Sequence, residues 1–169
     1  DIDVGFKAEN GRFDDWDIRQ AGWWAVFSGA CGHTYGTNSV WQMWAPGREP
    51  ILNADMPWFE AIQLPGASQM GILRRFAEDF GYWNWVPDQT MVRGENADGP
   101  DHVRSTRSAN GNRAFFYLPR GKPVLVDLSG LAGTAAVCTW YNPRNGEITI
   151  GESMATDCME PVLSPESGD

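Results

Sequence analysis

The spacing of apolar residues changes period along this chain, and that change restricts the fold more than any single motif. Between residues 14 and 80, two apolar stripes recur at i, i+3, i+4 and i+7, the spacing of one helix face. Residues 101–163 instead carry short apolar runs cut by turn residues, the grammar of antiparallel strands. A chain of 169 residues with 42% hydrophobic content holds one ordinary domain or two small ones. The two patterns predict an α/β part over 1–90, a linker over 91–100 and an all-β part over 101–169, with the boundary near 88–100.

In the first part, Asp14 or Asp15 supplies a side-chain acceptor for the free N–H groups of a helix start. Ala21, Trp24, Ala25 and Ser28 then share one face that can pack on a sheet, and Gly29 and Gly32 end the helix. His33-Thr34-Tyr35 is a short β-prone run between glycines and predicts a strand whose alternation points His33 and Tyr35 to the same side. Thr37 to Asp55 reads as a long loop, and Leu73, Phe76, Ala77 and Phe80 mark a second helix that begins around Gly66-Ala67-Ser68. Helix, short strand, long loop, helix is the repeating unit of an α/β barrel. In that architecture ligands meet the loop after the strand, here Tyr35 to Trp44.

In the second part, the runs 113–118 and 122–128 are separated by the turn Pro119-Arg120-Gly121. Alternation puts Val124 and Val126 on one face of their strand and Leu125 and Asp127 on the other. Asn142-Pro143-Arg144-Asn145-Gly146, between the runs 136–141 and 147–150, is a strong hairpin signal. About five strands in so short a stretch predict a small antiparallel β-sandwich. After Pro161-Val162-Leu163 no further strand pattern follows, and a closing strand is expected to be missing.

Composition removes several function classes. A formal charge of −9 and a pI near 4.6 argue against nucleic acid, because phosphate binding needs clustered Lys and Arg. No apolar run approaches the roughly 20 residues of a membrane span. Two His and three Cys without CxxC spacing supply no zinc or redox motif, and no metal or organic cofactor is expected. Cys138 and Cys158 can pair in a disulfide if their strands are adjacent, and Cys31, among small residues, reads as a buried free thiol. A Cys31–His33 catalytic pair fails because i and i+2 of a strand stand roughly 6 to 7 Å apart with no third orienting group. The acidic stretch Glu95 to Asp101 lacks calcium-loop spacing and reads as solvated linker.

Arg19-Gln20-Ala21-Gly22-Trp23-Trp24-Ala25-Val26-Phe27-Ser28-Gly29-Ala30-Cys31-Gly32-His33-Thr34-Tyr35-Gly36, followed by Asn38-Ser39-Val40-Trp41-Gln42, resembles the late-barrel segment of apiosidase-like glycoside hydrolases. Leu64-Pro65-Gly66-Ala67-Ser68-Gln69-Met70 is similar to the start of that family's last barrel helix. Trp140-Tyr141-Asn142-Pro143-Arg144-Asn145-Gly146 resembles the hairpin of the C-terminal domain that follows, often labelled collagen-binding, a label these residues do not support physically. The resemblance implies the terminal part of a TIM (β/α)8 barrel followed by a small antiparallel β-sandwich. It further implies a secreted or periplasmic enzyme acting on plant-type polysaccharide, and places most of the barrel and its catalytic Glu before Asp1.

The candidate substrate-binding residues are His33, Tyr35, Asn38, Trp41, Gln42 and Trp44. By the resemblance, His33 and Tyr35 lie on the catalytic face, where they can hydrogen-bond sugar hydroxyls. Trp41 and Trp44 offer flat apolar faces for a sugar ring or cap the barrel. Asn38 and Gln42 suit hydroxyl recognition and loop stabilisation equally. Among the nearby carboxylates, Asp14, Asp15 and Asp17 read as helix-start residues, and Glu9, Asp55 and Glu60 have no assigned catalytic role. Hydrolysis by two positioned carboxyl groups therefore needs residues outside this chain.

Two further expectations follow. A non-catalytic carbohydrate- or matrix-binding module would show an exposed row among Phe115, Phe116, Tyr117, Trp140 and Tyr141. The apolar faces carrying Trp24, Phe27, Leu73 and Phe76 are expected to need cover from an N-terminal barrel fragment or a second copy.

Overall fold

The structure, a computed structural model, describes residues 6–7, 11–52 and 54–165. Glu9 and the terminal residues 166–169 lie outside the described residues. Two short strands, β1 (Phe6–Lys7) and β2 (Gly11–Arg12), pair antiparallel before the first helix.

Helix α1 (Asp15–Phe27) starts where its sequence places it. The Asp14 carboxylate accepts from the N–H groups of Trp16 at 3.0 Å and Asp17 at 3.2 Å. The Asp14 N–H in turn donates to the Asp17 carboxylate at 2.9 Å, a closed capping box. At the other end Gly29, at φ +88°, and Ala30 donate back to Val26 and Ala25, the αL termination that glycine adopts without strain. The buried face is Ile18, Arg19, Gly22, Trp23, Val26 and Phe27, rather than the expected Ala21, Trp24, Ala25 and Ser28. The helix is apolar over most of its circumference, so two stripes about 100° apart fit the same spacing, and the larger rings decide which turns inward.

Helices α2 (Asn38–Trp41) and α3 (Trp58–Ala61) interrupt the expected long loop, and α4 (Pro65–Asp79) follows with proline in its first turn. Leu73 and Phe76 are buried as expected, joined by Gln69 and Ile72. Gly22 lets α4 approach α1 closely: a Cβ there would stand 3.1 Å from Leu73 Cδ2 and from Met70 Sδ. The two helices also share a polar triangle. Buried Arg19 donates to Asp15 and, at 3.0 Å, to Gln69, whose amide donates to Asp15 at 3.1 Å. The strand expected at His33-Thr34-Tyr35 does not form: the segment belongs to no sheet ladder among the described residues.

Eight strands follow: β3 (Trp85–Pro87), β4 (Val92–Arg93), β5 (Arg104–Ser108), β6 (Ala114–Tyr117), β7 (Val124–Asp127), β8 (Ala135–Tyr141), β9 (Ile148–Ala155) and β10 (Met159–Val162). They form antiparallel sheets ordered β3-β5-β6 and β10-β7-β4, plus the ribbon β8-β9. Within the segment read as a linker, 91–100, Val92–Arg93 form strand β4, which pairs with β7, and β3 just before it pairs with β5. Its polar composition misleads because Asn96 and Gln89 satisfy buried backbone at Val103 and Ser105. Asn142 to Gly146 closes the β8–β9 hairpin, with Gly146 at φ +80°. Val124 and Val126 are buried while Leu125 and Asp127 are half-buried, the expected alternation.

Alternation along β6 reveals the layers. Phe115 and Tyr117 pack with Trp23, Phe27, Leu73 and Phe76, whereas Ala114, Phe116 and Leu118 pack with Met91, Val103, Val124, Val126 and Leu128. The sheet β3-β5-β6 is thus a middle layer, with α1 and α4 on one face and the sheet β10-β7-β4 on the other. Phe27, Leu73 and Phe76 are therefore covered within the chain, and Trp24, half-buried, donates its indole N–H to His102 O at 3.0 Å. The burial that these side chains were expected to draw from a second chain is supplied by this chain's own strands.

The cysteines also depart from expectation. Cys31 is exposed, because it follows the turn that ends α1. Cys138 and Cys158 are free thiols; Cys138 lies on β8 and Cys158 just before β10, which belongs to another sheet.

Phe76 touches six other rings of the first core: Trp23, Phe27, Phe80, Trp85, Phe115 and Tyr141. Phe76→Ala is expected to destabilise the chain by about 3–5 kcal/mol. Urea unfolding followed by Trp fluorescence and far-UV CD should give one shared, shifted transition; separate transitions for helices and sheets would refute a shared core. A second expectation concerns Asp127, whose carboxyl is held down to about 2 by Ser129, through its hydroxyl and N–H, and by Arg93 across to β4. The depressed value means its stabilisation is present above the ordinary carboxylate range and is lost as pH falls through 2. A carboxyl ¹³C titration with a midpoint near 4 would contradict it.

Candidate functional site

Residues 33–62 form the lobe that carries every sequence-predicted site residue. Thr37 caps α2 by accepting from Ser39 N–H at 3.2 Å, and this fixes Asn38 at the start of the helix, buried. The Asn38 amide donates to the carbonyls of Ile51 and Leu52, both at 2.6 Å, and its oxygen accepts from Gln42 at 3.1 Å. Gln42 also donates to Ile51 O and accepts from Ile51 N–H, each at 2.8 Å. All four amide hydrogens of this pair are consumed inside the loop, so the geometry makes Asn38 and Gln42 a clamp that shapes it.

The clamp holds an uncommon backbone. Met43 at φ +50° and Leu52 at φ +49° are non-glycine residues in the left-handed region, a conformation that persists only where surrounding contacts impose it. Trp44 adds to the frame, donating its indole N–H to Arg48 O at 3.0 Å and accepting from Trp58 N–H at 2.9 Å. Its ring is half-buried, in contrast to Trp41, which is 63% exposed. The lobe also exposes Met43, Ile51, Leu52, Phe59 and Ile62. Sequence reasoning missed these residues; the apolar pair Ile51-Leu52 inside a Pro- and Gly-punctuated loop was the available signal.

Tyr35 lies against the first turn of α4. A Cβ on Gly66 would stand 3.1 Å from Tyr35 Cε2, so any larger residue there would push on the ring. His33 is half-buried, and its Nε2 has no hydrogen-bond partner among the described residues. Burial lowers its pKa below the ordinary histidine value, favouring the neutral imidazole, which can donate from one nitrogen and accept at the other. Asp14, Asp15 and Asp17 are absorbed by the helix cap and the Arg19–Gln69 triangle, while Asp55 and Glu60 are exposed.

The strands offer no comparable surface. Phe115, Phe116, Tyr117, Trp140 and Tyr141 are all buried or half-buried, so the planar row expected of a binding module on the strands is absent among the described residues. The exposed tryptophans are Trp41 and Trp83.

Comparison with known proteins places these features in a family. Residues 1–84 match the family described as "Apiosidase-like, catalytic domain", and residues 86–169 match that described as "Putative collagen-binding domain of a collagenase". A solved structure described as a glycoside hydrolase superposes with a TM-score of 0.89 at 30% identity, covering 97% of this chain and 36% of its own. The crystal structure of a glycoside hydrolase family 5 from Bacteroides vulgatus ATCC 8482 gives 0.88 at 27% identity, covering 95% of this chain and 35% of its own. The chain thus spans about a third of the length of these solved relatives. Among curated proteins none matches. With both family matches in sequence order and two glycoside hydrolases sharing its fold, the chain is similar to the apiosidase-like glycoside hydrolases.

Proposed function

We propose that this chain forms the carbohydrate-facing end of a secreted glycoside hydrolase acting on plant-type polysaccharide, with the hydrolysing carboxylates supplied from outside these residues. In this reading α1, the segment 33–36 and α4 are the terminal part of a (β/α)8 barrel, and β3 to β10 form an accessory sandwich against its helices. The observation that carries it is the Trp41 lobe: an exposed indole on a loop clamped by Asn38 and Gln42. In a barrel, such a loop stands at the ligand-binding face.

Each residue has a role that its surroundings support. Trp41 stacks on the apolar C–H face of a sugar ring. Neutral His33 and the Tyr35 hydroxyl exchange hydrogen bonds with sugar hydroxyls, a contact that an imidazolium, donor at both nitrogens, makes less selectively. Trp44, Asn38 and Gln42 hold the platform in place, which lowers the ordering cost on binding. Bond cleavage requires a pair of carboxyl groups flanking the glycosidic oxygen, and we assign neither to this chain.

Affinity electrophoresis of the chain in gels containing plant cell-wall polysaccharides tests the reading. Retardation is expected, weakened about tenfold by Trp41→Ala, the loss of roughly 1.4 kcal/mol of stacking and burial, and unchanged by Trp83→Ala. Equal effects of the two substitutions, or no retardation in any gel, would defeat it. A further expectation concerns pH: the His33 imidazole should titrate below the ordinary value near 6.5. The unfolded chain then takes up the proton first, so stability falls as pH drops through that range. His33→Gln should flatten the dependence, and an unaltered slope of stability against pH would contradict the assignment.

A further inference from the structure

Helix α4 carries a glycine at its second position, where the backbone does not ask for one. Gly66 follows Pro65 in the first turn and does not have a left-handed φ, so alanine fits the same backbone and is the better helix former. A helix that forgoes this gain has a packing reason, and the neighbours of the missing Cβ identify it. The three nearest heavy atoms all belong to Tyr35: Cε2 at 3.1 Å, Cζ at 3.4 Å and the hydroxyl oxygen at 3.4 Å.

The other helical glycines differ. Gly71 would meet only Arg75 Nη1, the end of a flexible side chain, at 3.8 Å. Gly22 faces Leu73 and Met70 and serves the approach of α4 to α1. Gly66 instead receives a ring from the segment 33–36, outside every helix and strand.

We propose that Gly66 is a positioning residue for carbohydrate: by leaving the first turn of α4 bare, it sets how deep the Tyr35 hydroxyl stands and therefore which sugar hydroxyl it meets. The inference rests on the reading of Tyr35 as a sugar contact. It is the hydroxyl end of the ring that lies on Gly66, so a methyl group there displaces the atoms that recognise the sugar. Carbon contacts are optimal at about 3.5–4.0 Å, so the neighbour must give by a few tenths of an ångström. Gly66 is buried within a 15-residue helix, whereas Tyr35 is half-buried on an irregular segment, so the ring is the part that gives. Hydroxyl–hydroxyl hydrogen bonds occupy only about 2.5–3.0 Å, and a shift of that size covers much of the range.

The test uses the 169-residue chain in the polysaccharide gels that retard it, with urea unfolding of the same proteins. Gly66→Ala is expected to weaken retardation at least about threefold, while its unfolding midpoint stays at or above that of the parent chain. A glycine with a structural role alone would show the reverse, a lower midpoint with unchanged retardation, and that result overturns the proposal. In a Tyr35→Ala background, where the ring is gone, Gly66→Ala should change retardation by less than about 1.5-fold. Weakening of the same size in both backgrounds also overturns it. In either case a continued effect of Trp41→Ala keeps the broader reading, whereas no retardation in any gel removes both.

A second readout is independent of binding. With ¹³C-labelled tyrosine, Gly66→Ala should shift the ring signals of Tyr35 and leave those of Tyr82, Tyr117 and Tyr141 in place. Unmoved Tyr35 signals overturn the seat itself.

Discussion

The packing of aromatic rings around Phe76 is the constraint on which the rest of the molecule depends. Trp23 and Phe27 come from α1, Trp85 from β3, Phe115 and Tyr117 from β6, and Tyr141 from β8, with Tyr117 stacked on Trp23 at 5.6 Å. The two family matches meet at residue 85, inside this cluster, so the part matched to a catalytic domain and the part matched to a binding domain share one core. Polar ties reinforce the contact: Gln20 donates to Pro100 O, Trp24 to His102 O and Trp16 to Pro119 O. The β part thereby acts as a brace for the helices that flank the candidate site.

That brace gives the 33–62 lobe something firm to stand on. α4 is fixed by Gly22 and by the Arg19–Asp15–Gln69 triangle, and Gly66 on α4 receives the Tyr35 ring. A buried arginine is tolerable only because both of its neighbours supply oxygens, and those same bonds set the rotation of α1 against α4. From the rigid helix pair outward, backbone order passes to Tyr35, then to the Thr37 cap, and finally to the amide clamp.

Much of this was legible in the residues. Asp14 as helix cap, Gly29 as helix end, the Asn142–Gly146 hairpin and the alternation of Val124 and Val126 each rest on local chemistry, which sequence carries directly. The inward face of α1 was not, because a helix rich in apolar residues satisfies the 3.6-residue period in two phases and only the tertiary partner selects one. The stretch 91–100 reads as linker because its composition is polar, yet Asn96 within it and Gln89 just before it bond buried backbone at Val103. Of the site residues, the aromatic identity of Trp41 was informative, whereas the roles of Asn38 and Gln42 turn on partners about ten residues away that spacing does not announce.

The clamp has a consequence for how such a loop can diversify. Asn38 and Gln42 seize Ile51 and Leu52 through the main-chain atoms of those two residues alone, so the closure is indifferent to the side chains at 51 and 52. A loop fastened at its neck in this way behaves as an exchangeable cassette: its tip can be lengthened, shortened or rewritten while the framework beneath keeps its register.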